Sequence, residues 1–363
     1  MNLIKIKKLR QEVIISFLWG MFSFTKFKPF YCQIEFFKFP IITFYNYKSC
    51  NRHFKGIRLL SKNKINKYVE EDCLFHITKQ APSKYKNIIF IRTGLGEAYL
   101  LNIYLKQILE SFNLTIENTC FVGLRDTFGE LFCQYNSEVN YKKINLSWDY
   151  LVFGIDKREY HYGQKNIYFY IEKEFIYKKM NDYKNNINTN HYVTEICNHF
   201  NIQYNSFKKE KYLPTSLQRA NAIKRLQEEN ININNFIFIS KTALSIDGFS
   251  NAFWNDLEHF LKLKGYDIYY NSNKLSITEA KVIASYSKAI IALRSGFLET
   301  ISELDNVFYV LYSKLSMNDA SAKLLKNIYS LKYYPNFNKE NFFEFDNETM
   351  TEEQILEAIL GGL

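Results

Sequence analysis

From Ile88 onward the apolar residues fall into short unbroken runs separated by amphipathic stretches. IIFIRTG (Ile88–Gly94) is an apolar run closed by glycine, the pattern of a strand buried on both faces of a parallel sheet. EAYLLNIYLKQILESF follows, with Tyr99, Leu100, Ile103, Tyr104, Ile108 and Leu109 on one helical face. NTCFVGL (Asn118–Leu124) and WDYLVFG (Trp148–Gly154) predict further strands. Between Gln164 and Asn205 the periodicity is poor, apart from an amphipathic helix at NHYVTEICNHFNI (Asn190–Ile202). LPTSLQRANAIKRLQEEN (Leu213–Asn230) predicts a helix of polar, connecting character.

A second series is cleaner. NNFIFISK predicts a strand, NAFWNDLEHFLKLKG a helix stopped by Gly265, and YDIYYNS a strand. SITEAKVIASYS opens with a capping-box pair, Ser276 and Glu279. KAIIALRSG is a strand ending at Gly296, FLETISELD a helix, and NVFYVLYS another strand. Alternating strands and helices predict an α/β fold with two parallel sheets in series and ligands at the carboxyl ends of the strands. The expected division is an N-terminal segment 1–86, an α/β domain 87–212, a second 213–340, and a C-terminal helix 341–363.

Composition agrees with a globular chain: 363 residues, 47% hydrophobic, with only 13 Gly and 5 Pro, exclude a disordered or linker-like protein. Charge adds a local feature. The net charge of +10 is held entirely by residues 1–62, which carry 12 basic and 2 acidic side chains, and the remainder is balanced. The same segment holds 14 aromatic residues. Basic and aromatic residues interleaved in this way suit an anionic membrane surface, or packing onto the body of the protein. No nucleic-acid motif accompanies them, so no nucleic-acid partner is expected. VIISFLWGMFSF (Val13–Phe24) lacks a cleavage site and is too short to span a bilayer, and it reads as a buried or interfacial element. The expected location is cytoplasmic, peripheral on the inner face of the membrane. Six scattered cysteines form no CxxC pair, and His191, Cys197 and His199 match no common zinc spacing.

Chemistry is expected in three turns. Thr93-Gly94-Leu95-Gly96-Glu97 brings backbone N–H groups close to a ligand and sets Glu97 at a helix N-terminus. That position predicts a lowered pKa and an ionised base, or else a simple capping glutamate. The third glycine of a dinucleotide fingerprint is missing, and so is the Gly-Lys-Ser/Thr of a P-loop. Arg294-Ser295-Gly296 offers a guanidinium, a hydroxyl and free N–H groups for a diphosphate, with Glu299 in reach of a sugar hydroxyl. The third turn is Lys241–Ser250. No DxD pair lies beside the glycine turns, so no metal or other cofactor is expected.

The order and spacing of four segments resemble the bacterial lipopolysaccharide heptosyltransferases, glycosyltransferase family 9. They are IIFIRTGLGEAYLLNIYLKQIL, NHYVTEICNHFNI, FIFISKTALSIDGFSNAFW and LSITEAKVIASYSKAIIALRSGFLETISELDNVFYVLY. The resemblance implies two Rossmann-like domains facing across a cleft (GT-B) and metal-independent, inverting sugar transfer from a nucleotide-sugar to a glycan or glycolipid of the cell surface. It sets Glu97 at the family's catalytic aspartate, Ser295 and Gly296 at its donor-loop Thr-Gly, and Thr242 and Glu279 at other donor-side positions. Thr93, Gly94 and Gly96 fall on the acceptor side. The family's loop aspartate, loop histidine and phosphate-contacting lysine are replaced by Arg294, Glu299 and Asp247, with Lys241 nearby as a substitute. Such replacements also fit a non-catalytic nucleotide- or glycan-binding protein of the same fold.

Overall fold

The structure is a computed structural model. It describes residues 4–8, 12–17, 22–27, 31–36, 39–48, 53–58, 62–92, 94–146, 157–185, 187, 190–207, 211–243, 246–271, 275–314, 320–334 and 339–363. For residues up to 69 and for 173, 177, 180, 183, 184 and 339 only the backbone is described. The chain divides into two compact units, residues 1–80 with 145–157, and residues 81–144 with 158–363.

The first unit is an antiparallel meander of six strands in sequence order: β1 (Ile4–Lys8), β2 (Glu12–Phe17), β3 (Phe22–Phe27), β4 (Tyr31–Phe36), β5 (Phe39–Lys48) and β6 (His53–Arg58). Helix α1 (Lys62–Gln80) follows. The apolar run Val13–Phe24, expected as one element, is two paired strands with Phe17 opposite Phe22. Its β-branched and aromatic residues favour extended backbone. At the end of α1, Gln80 and Asn145 exchange two hydrogen bonds, Nε2 to the Asn145 carbonyl at 3.1 Å and the Asn145 N–H to Oε1 at 2.9 Å. The expected strand at Trp148–Gly154 lies outside the described residues.

The second unit contains two five-stranded sheets. The first consists of β7 (Asn87–Ile91), β8 (Thr119–Gly123), β9 (Asn140–Lys143), β10 (Glu159–Tyr162) and β11 (Lys165–Phe169) in the order β10-β11-β7-β8-β9. Every neighbouring pair is parallel except the hairpin β10–β11, which turns through Gly163 at φ +60°. The second consists of β12 (Phe236–Ser240), β13 (Asp267–Tyr270), β14 (Ala289–Leu293), β15 (Val307–Tyr312) and β16 (Phe342–Asp346), all parallel, in the order β13-β12-β14-β15-β16. Strands β7, β8, β12 and β14 are buried at every position, which is why their sequences are unbroken apolar runs.

Helices connect the strands. After β7 come α2 (Leu95–Ile103) and α3 (Leu105–Ser111), one expected helix that breaks at Tyr104, whose hydroxyl donates to the Tyr204 carbonyl at 2.7 Å. They are followed by α4 (Asp126–Tyr135), α5 (Lys173–Lys184), α6 (Tyr192–Phe200) and α7 (Ser216–Glu228). The second sheet adds α8 (Asn251–Leu263), α9 (Ile277–Ser285), α10 (Gly296–Ile301), α11 (Ala322–Tyr329) and α12 (Glu352–Gly362). The expected glycine stop holds, Gly265 lying just past α8 at φ +84°. So does the capping box: Ser276 accepts from Glu279 N–H at 3.1 Å, and Glu279 accepts from Ser276 N–H at 2.9 Å.

One cluster of buried apolar side chains runs from β7 and α2 (Ile89, Tyr99, Leu100) through α9 and α10 (Ile283, Leu298) to β12 (Phe236, Phe238), so the two sheets share a core. Polar contacts reinforce it. Lys281 on α9 is almost fully buried, donates to the Tyr135 hydroxyl of α4 at 2.6 Å, and is ion-paired with Glu303. Gln134 of α4 donates to the Thr278 hydroxyl at 2.8 Å.

Candidate functional site

In each sheet the strand order reverses beside the first strand, between β7 and β11 and between β12 and β14. Crevices for ligands form at such points, beyond the carboxyl ends of the strands. The turns after β7 and β14 are therefore the topologically favoured positions, and they touch. A Cβ on Gly296 would lie 2.6 Å from the Gly96 nitrogen, and a Cβ on Gly96 would overlap the Glu299 carboxylate. Both glycines are thus required by close approach rather than by an unusual φ. Thr93 lies outside the described residues.

Glu97, in the first turn of α2, is half-buried and accepts a hydrogen bond from the Tyr192 hydroxyl at 3.0 Å. A Cβ on Gly94 would come within 2.8 Å of its Oε2. The expectation of a lowered pKa is corrected here. Burial, joined by the nearby Glu299 carboxylate, raises the Glu97 pKa above its ordinary value, and bonds to backbone amides and Tyr192 offset this only in part.

Glu299 and Arg294 are 3% and 5% exposed and form a buried ion pair. One carboxylate oxygen of Glu299, Oε1, accepts from Arg294 and from the Tyr334 hydroxyl, while Oε2 has no hydrogen-bond partner. Arg294 also donates to the Tyr329 carbonyl at 2.9 Å and the Ser295 carbonyl at 2.8 Å. Burial works against its charge, but Glu299 outweighs that effect and the pKa rises. The expected phosphate ligand Arg294 and sugar ligand Glu299 are therefore turned toward each other and toward the interior. A buried charge needs a partner, and each is the other's. The Ser295 hydroxyl is buried without a partner. Among the described α-helices around the second sheet, α8, α9, α11 and α12 have side-chain caps from Ser250, Ser276, Ser321 and Thr351, whereas α10 has none. The N–H groups of its first turn, at Gly296, are left without that kind of partner.

The other expected residues make contacts of their own. Lys241, at the carboxyl end of β12, has a side chain 44% exposed, 3.5 Å from Glu258 and 4.7 Å above the Tyr270 ring. Thr242 is exposed. A cavity of about 460 Å³ opens beside β13, and Glu258 and Tyr270 form part of its wall. Glu279 is exposed, caps its own helix and approaches Arg225 at 3.6 Å.

Sequence reasoning missed the tyrosines. Tyr192, Tyr334 and the fully buried Tyr170 all surround Glu97 and Glu299, and burial holds the pKa of Tyr170 and of Tyr334 well above 10. Tyr192 opens the helix expected at 190–202, a visible signal. His191 caps that helix, accepting from Val193 N–H at 3.2 Å through Nδ1 and contacting the Ser330 carbonyl through Nε2 at 2.8 Å. Burial pushes its pKa down to about 4, so the ring is neutral. Among the described residues no group of three or more His, Cys, Asp or Glu is placed to hold a metal ion. Among the same residues no helix is long and apolar enough to cross a membrane.

The unit that carries this site is a mixed α/β body with two largely parallel sheets. No family model and no curated protein matches the chain. Among solved structures it is similar to a glycosyltransferase family 9 protein from Veillonella parvula, at 10% identity over 77% of this chain and 98% of that one, with a TM-score of 0.44. It is similar to the ADP-heptose LPS heptosyltransferase II of E. coli at 10% identity, over 76% of this chain and 99% of that one, with a TM-score of 0.42. A third is TibC, an iron-containing dodecameric glycosyltransferase of enterotoxigenic E. coli, at 8% identity over 82% and 71% and a TM-score of 0.36. The likeness is one of partial chain path and carries no chemistry with it.

Proposed function

We propose that the chain is a glycosyltransferase of GT-B type, moving a sugar from a nucleotide-sugar to a hydroxyl of a cell-surface glycan or glycolipid. The observation that carries this reading is the convergence of two switch-point turns, one bearing a carboxylate and the other an uncapped glycine turn. The segment resemblance to family 9 agrees with it. Glu97, oriented by Tyr192, takes the proton of the acceptor hydroxyl. That oxygen attacks the anomeric carbon from the face opposite the leaving group, the bond to the nucleoside diphosphate breaks, and the configuration inverts. Lys241, Thr242 and the amides of Ser295 and Gly296 receive the departing diphosphate, in place of a metal ion. Arg294 serves this site indirectly, by holding Glu299. Residues 1–62, with their excess of positive charge, keep the enzyme at the anionic inner face of the membrane beside a lipid-linked acceptor.

A second reading has one observation in its favour: Arg294 is sequestered by Glu299. On that reading the chain binds nucleotides or glycans without turnover. Thermal-shift screening with UDP-, GDP-, ADP- and CMP-sugars finds the donor, because a ligand of the native state raises the unfolding midpoint. Turnover of that donor is then compared between the wild type and Glu97→Gln. The expected loss is about 10²–10⁴-fold in rate with donor binding retained. Equal rates in the two proteins overturn the mechanism, and binding without turnover in the wild type selects the second reading.

A further inference from the structure

Glu97 and Glu299 follow turns of different sheets, yet the contact of Gly96 with Gly296 brings the Glu299 carboxylate against Gly96, the residue before Glu97. Their surroundings are unequal. Arg294 and Tyr334 occupy Oε1 of Glu299 and fix it in position, while its Oε2 faces Gly96 with no donor. A carboxylate oxygen buried in this way lacks a hydrogen bond that a protonated neighbour can supply. Glu97 is one residue from Gly96. The groups around it are the Tyr192 hydroxyl on α6, Tyr170 beyond β11, Glu299 on α10, and Arg294 and Tyr334 behind Glu299. His191 next to Tyr192 is bonded to the Ser330 carbonyl, and Tyr135 on α4 is engaged with Lys281. The one cation in this set, Arg294, is already paired with Glu299.

We propose that Glu299 is a positioning residue for Glu97: locked by Arg294 and Tyr334, it holds a like charge against Gly96, the residue before Glu97, and so opposes ionisation of Glu97 while the two turns touch. A fixed negative charge close to a carboxyl group disfavours the ionisation of that group. Separation of the turns, as when a substrate enters between them, removes the like charge, and the proton leaves Glu97 for solvent. The base is thereby withheld from the empty enzyme and delivered on opening. That consequence rests on the reading of Glu97 as a base. The opposition of Glu299 to ionisation of Glu97 does not.

The test is infrared titration of the full chain without substrate, following the carbonyl stretch of protonated carboxyl groups. Wild type is expected to keep a protonated band above the ordinary glutamate value of 4.5, and Glu97→Gln to lack that component. Asp72, which burial pushes up to about 6, contributes a separate band that these variants leave in place. Glu299→Gln is expected to move the Glu97 component down by about 1–3 pH units, the size of a neighbouring charge's effect. Tyr192→Phe moves it up, since a bond favouring the charged form is lost. Should Glu299→Gln fail to fold, the paired replacement Arg294→Met with Glu299→Leu removes both charges and is expected to give a smaller downward shift, because the more distant cation is lost with the nearer anion. Thermal unfolding supplies a second readout. A raised native pKa contributes stability that is complete below 4.5 and is lost as pH climbs through the native value, and Glu97→Gln abolishes that slope. A wild type without the band, or a band unmoved by Glu97→Gln or by removal of Glu299, overturns the proposal while leaving sugar transfer to be judged by turnover.

Discussion

After β7 the chain turns through Gly94 and Gly96 into a helix whose first turn holds Glu97; after β14 it turns through Gly296 into a helix whose first turn holds Glu299. The two turns match in topology and differ in electrostatics. Glu299 arrives with its counter-ion, because Arg294 stands at the end of the same strand and folds over the same turn. Glu97 instead accepts from a tyrosine hydroxyl of α6. A buried carboxylate with a guanidinium is fixed in charge and place, whereas one held by a hydroxyl and amides can exchange its proton. The second sheet thus supplies the fixed half of the junction and the first the adjustable half.

Removing the fixed half has the largest expected effect. Arg294→Met leaves Glu299 buried and uncompensated and is expected to cost about 3–5 kcal/mol in a urea unfolding experiment. A cost below about 1 kcal/mol, the range of an exposed pair, would break the comparison. Next is the contact itself. Gly296→Ala puts a methyl 2.6 Å from backbone and is expected to cost about 1–3 kcal/mol, while Gly248→Ala, with nothing within 4 Å, serves as the control. The smallest effect sharpens the contrast between capped and uncapped helices. Ser276→Ala on α9 is expected to lose about 1 kcal/mol by the same unfolding measurement, while Ser295→Ala on α10, whose hydroxyl caps nothing, leaves stability within about 0.5 kcal/mol.

The fold was legible where burial is continuous. Ile88–Ile91, Phe236–Ser240 and Ala289–Leu293 lie inside sheets on both faces, and their sequences say so. The hairpin β10–β11 and helix α5 were not read, and β16 occupies the start of the stretch 341–363 expected as a helix, which forms only over Glu352–Gly362. EYHY and FFEFD mix polar and apolar residues at sheet edges, where pairing with a neighbour and not local composition decides the structure. The position of Glu97 was legible from its glycine turn. The upward direction of its pKa was not, since the packing that buries it, and Glu299 and Tyr192, come from distant parts of the sequence. For Arg294 the missing information was closer, because Glu299 sits on the next helical turn and an arginine at a strand end followed by a buried glutamate is already a candidate pair.

The apolar cluster running from Ile89 through Leu298 to Phe238 joins both sheets in one continuous core. Severing the chain between them would strip each half of surface it cannot cover alone. Any motion that admits a ligand must then be a slight parting at the rim, pivoting on a shared interior that stays closed.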